Sequence, residues 1–129
     1  MAATFNAPFN PFTIRVDNGA ADAGTTNYTT TRGLYVIDAI VRKTNAAGGA
    51  GPDTVSFGEA ANIITTVNLA VGVMGADNTV VRASSSGVAT SGLTTANCDI
   101  AAGGTLRVIV TQAGVEDVAF NADVICIPN

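Results

Sequence analysis

A chain of 129 residues is sized for one domain, since two would be too short to hold separate cores. Charged side chains make up only 12% of it, the net charge is −4, and the six basic residues form no cluster. That balance argues against a nucleic-acid partner and against an anionic membrane surface, both of which need massed Lys and Arg. Histidine is absent, which removes the commonest general base, the usual activator of a Ser or Cys nucleophile, and the usual transition-metal ligand.

The core material is thin. Aromatics are 5%, there is no Trp, and the apolar 47% is dominated by Ala and Val. A fully buried Val or Ile contributes ~1.5–3 kcal/mol, with no large aromatic anchor to add to it. Burial between subunits is expected to supplement such a core. The first five residues hold neither a basic run nor a continuous apolar stretch, so no secretory signal is expected. The longest apolar-leaning run, residues 63–74, is broken by Thr65, Thr66, Asn68 and Gly72 and is too short and polar to span a bilayer. A soluble protein with no membrane partner is the expectation.

Residues 1–12 carry Phe5, Phe9 and Phe12, three of the five phenylalanines, together with Pro8 and Pro11. The prolines prevent a helix and withhold ladder hydrogen bonds, so 1–12 is expected to be an extended arm leading into one β-sandwich domain over 13–129. The arm either folds over its own sandwich or lies on a neighbouring subunit or host surface. Residues 13–16 read as a short strand, closed by the turn Asp17-Asn18-Gly19. Residues 17–33 lack any period and read as a loop, with a weak strand at 28–31.

Residues 34–44 are a strong strand. Tyr35, Ile37, Ala39 and Val41 would face one way, and Val36, Asp38, Ile40 and Arg42 the other. Apolar groups on both faces suggest contact with another protein, because a sheet of a lone sandwich keeps one face polar. Val36 and Ile40 are therefore candidate interface residues, joined by Ile109, Ile125 and Ile127 from later strands and by the arm's Phe5, Phe9 and Phe12.

Residues 45–53 form a Gly/Ala loop, and 54–58 a strand with Val55 and Phe57 inward. The run 59–66 fits one or two helical turns, after which Val67, Leu69, Val71 and Val73 alternate as a strand. A turn at 75–78, a strand at 79–84, a small-residue loop at 84–92 and a strand at 94–100 follow. The turn Ala101-Ala102-Gly103-Gly104 then introduces the clearest pattern in the chain. Two β-rich runs, 105–111 and 117–127, are separated by five residues containing Gly, which reads as a β-hairpin. Leu106, Val108 and Val110 share one face of the first run, and Val118, Phe120, Ala122, Val124 and Cys126 one face of the second. About eight short strands with turn signals every ten residues or so indicate an all-β, antiparallel jelly-roll-like β-sandwich. An immunoglobulin arrangement would want a buried Trp beside a disulfide, and there is none.

No constellation points to catalysis. Glu116-Asp117 sits in the expected hairpin loop, while Asp38, Asp99 and Asp123 are dispersed on outward positions as solvated charges. Ser84-Ser85-Ser86 has no partner base. Gly48-Gly49-Ala50-Gly51-Pro52-Asp53 matches half of a calcium-binding repeat, but one turn supplies too few oxygens. The same run lacks the Lys-Ser/Thr of a phosphate cradle. Asp17-Asn18-Gly19 with Asp22 is a partial calcium loop without its closing Glu. No enzyme activity, metal or cofactor is expected. Cys98 and Cys126 both fall at inward parity, so a disulfide is possible and would contribute ~3.5 kcal/mol, while a reducing cytosol would favour two free thiols.

Val80-Val81-Arg82-Ala83, then Ala101-Ala102-Gly103-Gly104-Thr105-Leu106-Arg107-Val108-Ile109-Val110-Thr111, then a β-run ending the chain, resembles small tailed-bacteriophage head proteins that decorate or cement the capsid lattice. The likeness covers about residues 34–128. It implies a β-sandwich that oligomerises, a trimer being favoured, on a major capsid protein as partner. The implied location is the virion, on the capsid surface, after synthesis in the host cytoplasm, and no catalytic residue is implied. A phage fibre, tail or baseplate subunit is an alternative within the virion. From another class, a carbohydrate-binding β-sandwich module would use aromatic platforms, for which only Tyr28 and an inward-facing Tyr35 are available outside the phenylalanines.

Overall fold

The computed structural model describes residues 11–18, 24–44, 53–59, 61–74, 80–85, 89–112 and 118–129. Residues 1–10, the Gly-rich run at 48–52 and Glu116-Asp117 lie outside them. Nine strands are described: β1 (Phe12–Asn18), β2 (Gly24–Thr29), β3 (Leu34–Lys43), β4 (Thr54–Glu59), β5 (Asn62–Asn68), β6 (Val80–Arg82), β7 (Asp99–Ile100), β8 (Thr105–Thr111) and β9 (Phe120–Pro128).

They form two antiparallel sheets. One has the order β1-β9-β3-β6, with β7 pairing β3 beyond β6, and the other the order β2-β8-β4-β5. The pairing is nested: the first strand lies against the last, the second against the eighth, the third against the sixth and seventh, and the fourth against the fifth. A long antiparallel ribbon wound over itself in this way is a jelly roll. Because β6 and β7 occupy one position beside β3, the nine strands fill eight places.

Only β4 and β5 are chain neighbours that pair with each other. The expected hairpin of 105–111 with 117–127 does not form: β8 pairs with β2 and β4, whereas β9 pairs with β1 and β3 in the other sheet. Alternation assigns the inward faces correctly, since Leu106, Val108, Val118, Phe120, Ala122, Val124 and Cys126 are all buried. It carries no information about which strand lies alongside.

The core lies between the sheets. Val16, Leu34, Val36, Ala39, Val41, Val124 and Cys126 come from one side, and Val55, Phe57, Ile64, Val67, Leu106 and Val108 from the other. Val55 and Phe57 are inward as their alternation requires. Four elements differ from the sequence expectation: β2 fills 24–29, where a loop with a weak strand at 28–31 was expected, and three more follow. Residues 62–68 are strand rather than helical turns, held in the ladder to β4. That strand stops at Asn68, whose Oδ1 accepts the Ala70 N–H at 3.0 Å, and Val71–Met74 then makes one helical turn. Residues 95–97 are a 3₁₀ turn before β7, rather than the start of a strand.

Two irregularities set side-chain direction. In β3 the register to β9 slips between Val36 and Asp38, so Ile37 is an extra residue. Leu34 and Val36 face inward before the bulge, and Ala39 and Val41 after it. In β5 a matching slip opposite Phe57 and Gly58 lets Ile64 turn into the core beside buried Thr65. Gly58 is required there, because a Cβ would run into the Asn62 carbonyl.

Candidate docking face

The outer surface of the β1-β9-β3-β6 sheet and that of the β2-β8-β4-β5 sheet differ in chemistry. On the first, β9 presents Ile125 and Ile127, and β3 presents Ile37 and Ile40. In register, Ile127 lies opposite Tyr35, Ile125 opposite Asp38 and Ile40 opposite Asp123. Ile125 and Ile127 are half-buried, and Ile37, lifted by the bulge, is 39% exposed. Val80, on the neighbouring β6, is 46% exposed. Charge interleaves with these side chains, since Ile40 stands between Asp123 and Arg82 and Val80 opposite Arg42, on a sheet whose other face already fills the core.

Ion pairs cross the same face. Arg15 on β1 donates from Nη1 to Asp123 at 3.1 Å and from Nε to Asp17 at 3.3 Å. Hydrogen bonds to Asp17, then to Asp123, raise the Arg15 pKa and keep the guanidinium charged. On the other side Arg82 Nη1 donates to Asp38 at 3.1 Å. Asp38 was expected to be a solvated charge and is instead 7% exposed. Its carboxylate also accepts the Ala39 N–H at 2.8 Å, the Ser84 N–H at 3.0 Å and the Ser84 hydroxyl at 3.0 Å. This fixes the bulge, and with it Ile37, against the turn after β6. Asp99 accepts from the Asn129 side-chain amide at the far end.

The opposite surface is a carpet of hydroxyls and amides. β2 contributes exposed Thr25, Asn27 and Thr29, β8 contributes Thr105, Arg107 and Thr111, and β4 and β5 contribute Ser56 and Thr66, hydrogen-bonded to each other at 2.9 Å. Ile109 stands in this polar surround, opposite Thr25 and Ser56.

The structure therefore sorts the sequence candidates. Ile40, Ile125 and Ile127 share one outer face, while Ile109 lies on the other sheet and does not join them. Val36 is corrected to the core at 1% exposure, because the bulge inverts the parity expected for the first half of β3. Tyr35, expected inward, is half-buried and packs at the margin of the core. Phe12 belongs to β1 rather than to the arm and is 37% exposed. Phe5 and Phe9 lie outside the described residues. Ile37 was assigned inward by alternation. The signal that would have found it is Asp38, an acid placed in the middle of an apolar strand.

Cys98 and Cys126 are free thiols, both buried. Burial pushes the Cys126 thiol up to about 11 and also raises Cys98, against a smaller lowering by a hydrogen bond with Tyr35. Among the described residues no group of three or more His, Cys, Asp or Glu stands close enough to hold a metal ion, and no helix is long and apolar enough to cross a membrane.

Neither a protein-family model nor a curated protein sequence matches the chain. Solved structures do. The fold matches a chain in the capsid asymmetric unit of cyanophage Pam1 with a TM-score of 0.52 and 16% identity, covering 98% of this chain and 91% of that one. It matches a chain in the capsid of Ralstonia phage GP4 with a TM-score of 0.51 and 14% identity, covering 99% and 89%. The chain thus has an all-β fold shared, over nearly its full length, with chains found in phage capsids.

Proposed function

We infer that the protein is a structural component of a bacteriophage virion that decorates or cements the capsid, docking onto the major capsid protein through the outer face of the β1-β9-β3-β6 sheet. The observation that carries this reading is the asymmetry of the sandwich. One outer face carries isoleucines interleaved with internally paired charges; the other is a hydroxyl carpet. Partly exposed apolar side chains among already paired charges suit a protein–protein interface. The match to chains from two phage capsids supports the choice of partner.

Docking of this kind needs no chemistry. It stabilises the assembled shell by mass action, because the chain binds the lattice and not its dissociated subunits. On such a face Arg15–Asp123 and Arg82–Asp38 are already paired internally, so docking need not supply partners for them. The test is direct. The full chain, mixed with capsid shells assembled without it, is expected to co-sediment with them at a fixed stoichiometry and to raise their melting temperature. A chain left wholly in the supernatant overturns the reading.

A further inference from the structure

A bare sheet edge is a template for another strand, and folded chains blunt their edges with charge, proline, bulges, brevity or cover. Three of the edges here are blunted. Residues 89–94 run along β5, where the Asn68 N–H donates to the Ala89 carbonyl at 2.9 Å, the Ser91 N–H to Thr66 at 3.0 Å and the Thr94 N–H to Ile64 at 2.8 Å. β6 and β7 are three and two residues long, and β1 carries Arg15 and Asp17. β2 is the exception. Gly24–Thr29 is six residues long with no charge, no proline and an unbroken register to β8. Among the described residues nothing pairs with its outer edge.

Thr30 fixes the direction of the backbone groups along β2. Its N–H donates to the Gly104 carbonyl at 2.9 Å and its carbonyl accepts the Gly103 N–H at 2.8 Å, so both turn toward the β8 side. Sides alternate along a strand, so Tyr28, Thr26 and Gly24 turn the same way. Thr25, Asn27 and Thr29 therefore present N–H and C=O to the open edge. The side chain of Thr26 marks the same gap. It faces inward opposite buried Val108 yet is exposed, over a hollow lined by Val16, Tyr28 and Phe120 between β1 and β2.

We propose that the open edge of β2 is the interface with a second copy of this chain, whose own β2 adds antiparallel about a two-fold axis through Asn27. Self-complementarity argues for this occupant. Two identical antiparallel strands set one residue opposite itself. Centred on Asn27, the pair sets Thr25 opposite Thr29 of the second copy, so all three edge-facing residues exchange both bonds, about six in all. Centring on Thr26 would use fewer. No charge meets its like, because the strand has none, and facing threonines are a favourable cross-strand pair. Thr26 comes opposite Tyr28 of the second copy, which covers the gap from within. The two β2-β8-β4-β5 sheets then form one continuous sheet. Both docking faces stay uncovered, because they belong to the other sheet. The product is a dimer and not the trimer that the resemblance implies.

Two experiments on the full chain test it. In the first, Asn27→Cys and Thr25→Cys are made singly and oxidised mildly in dilute solution. The two Asn27 Cα atoms would lie ~5.5 Å apart, inside the ~4.4–6.8 Å that a disulfide spans, and the two Thr25 Cα atoms about 14 Å apart. Cys98 and Cys126 are buried and do not compete. On a non-reducing gel Asn27→Cys is expected to run as a bridged dimer and Thr25→Cys as a monomer. Equal bridging of the two, or none in either, overturns the proposal. In the second, light scattering is expected to give the parent the mass of two chains. Asn27→Pro, which removes an edge-facing N–H that β8 does not use, should give the mass of one with its circular dichroism kept. A parent of one or three chains, or a folded Asn27→Pro of two, overturns it.

Discussion

Cys98 and Cys126 stand on opposite sides of the same residue. The Cys98 carbonyl accepts the Val36 N–H at 2.9 Å from one flank of β3, and Cys126 is the cross-strand partner of Val36 on the other. Two strand spacings come to ~9.5 Å, whereas disulfides need Cα atoms within ~4.4–6.8 Å. Both side chains are inward, as their parity indicates, yet β3 runs between them. Without reductant, a thiol-reactive dye should label two thiols per chain in denaturant and almost none in the native protein. A reducing agent should leave the melting temperature unchanged.

Those buried thiols also set an alkaline limit. The folded Cys126 thiol titrates near 11, against an ordinary value of 9.0 once the chain unfolds. Between those values the unfolded chain has lost a proton that the folded chain keeps, so stability falls as pH rises through the window and is unaffected below it. Urea midpoints should be flat from pH 7 to 8.5 and decline toward pH 10.5. In Cys126→Ala that decline should be shallower, with Cys98 supplying what remains.

Asp38 is the polar pin of the docking sheet. Asp38→Ala removes the acceptor for two backbone N–H groups, a hydroxyl and the Arg82 guanidinium, in a site of 7% exposure. Leaving those donors orphaned should cost about 2–4 kcal/mol, read as a lower urea midpoint at constant slope. Asp38→Asn, which keeps an acceptor, should cost less than half of that.

Three glycines should respond differently to alanine. Gly58→Ala drives a Cβ into the Asn62 backbone at the β4–β5 bulge and should destabilise by about 2 kcal/mol or more. Gly103, at a φ of 81° in the turn before β8, should cost about 1 kcal/mol through left-handed backbone strain alone. Gly24 in β2 has open space around its Cβ position, and Gly24→Ala should be neutral or stabilising by about 0.5 kcal/mol. Thermal melts of the three variants rank them.

What was legible in the sequence is what a period of two can carry. Val55 with Phe57, Leu106 with Val108, and Val118 through Cys126 could all be assigned to the core, because neighbouring side chains on a strand face opposite ways. The jelly-roll class followed from counting strands and turns. Pairing was not legible, since β1 with β9 joins residues about 110 positions apart and β2 with β8 residues about 80 apart. Only the end of β2 was anticipated, as a weak strand at 28–31, because its exposed Gly, Thr and Asn show no apolar alternation. The site was half readable. Ile40, Ile125 and Ile127 stood out as apolar groups at outward positions, but one inserted residue at Ile37 reversed the phase of β3 and hid Val36 in the core.

The docking face is tested most directly by charge placed on each side of the sandwich in turn. Ile37→Asp and Ile109→Asp alter exposed or half-exposed side chains on opposite outer faces, and each should shift stability by less than about 1 kcal/mol. In co-sedimentation with capsid shells lacking this chain, Ile37→Asp should lose binding by about a hundredfold while Ile109→Asp binds as the parent does. Retained binding by a folded Ile37→Asp, or its loss in Ile109→Asp alone, would contradict docking through the β1-β9-β3-β6 sheet.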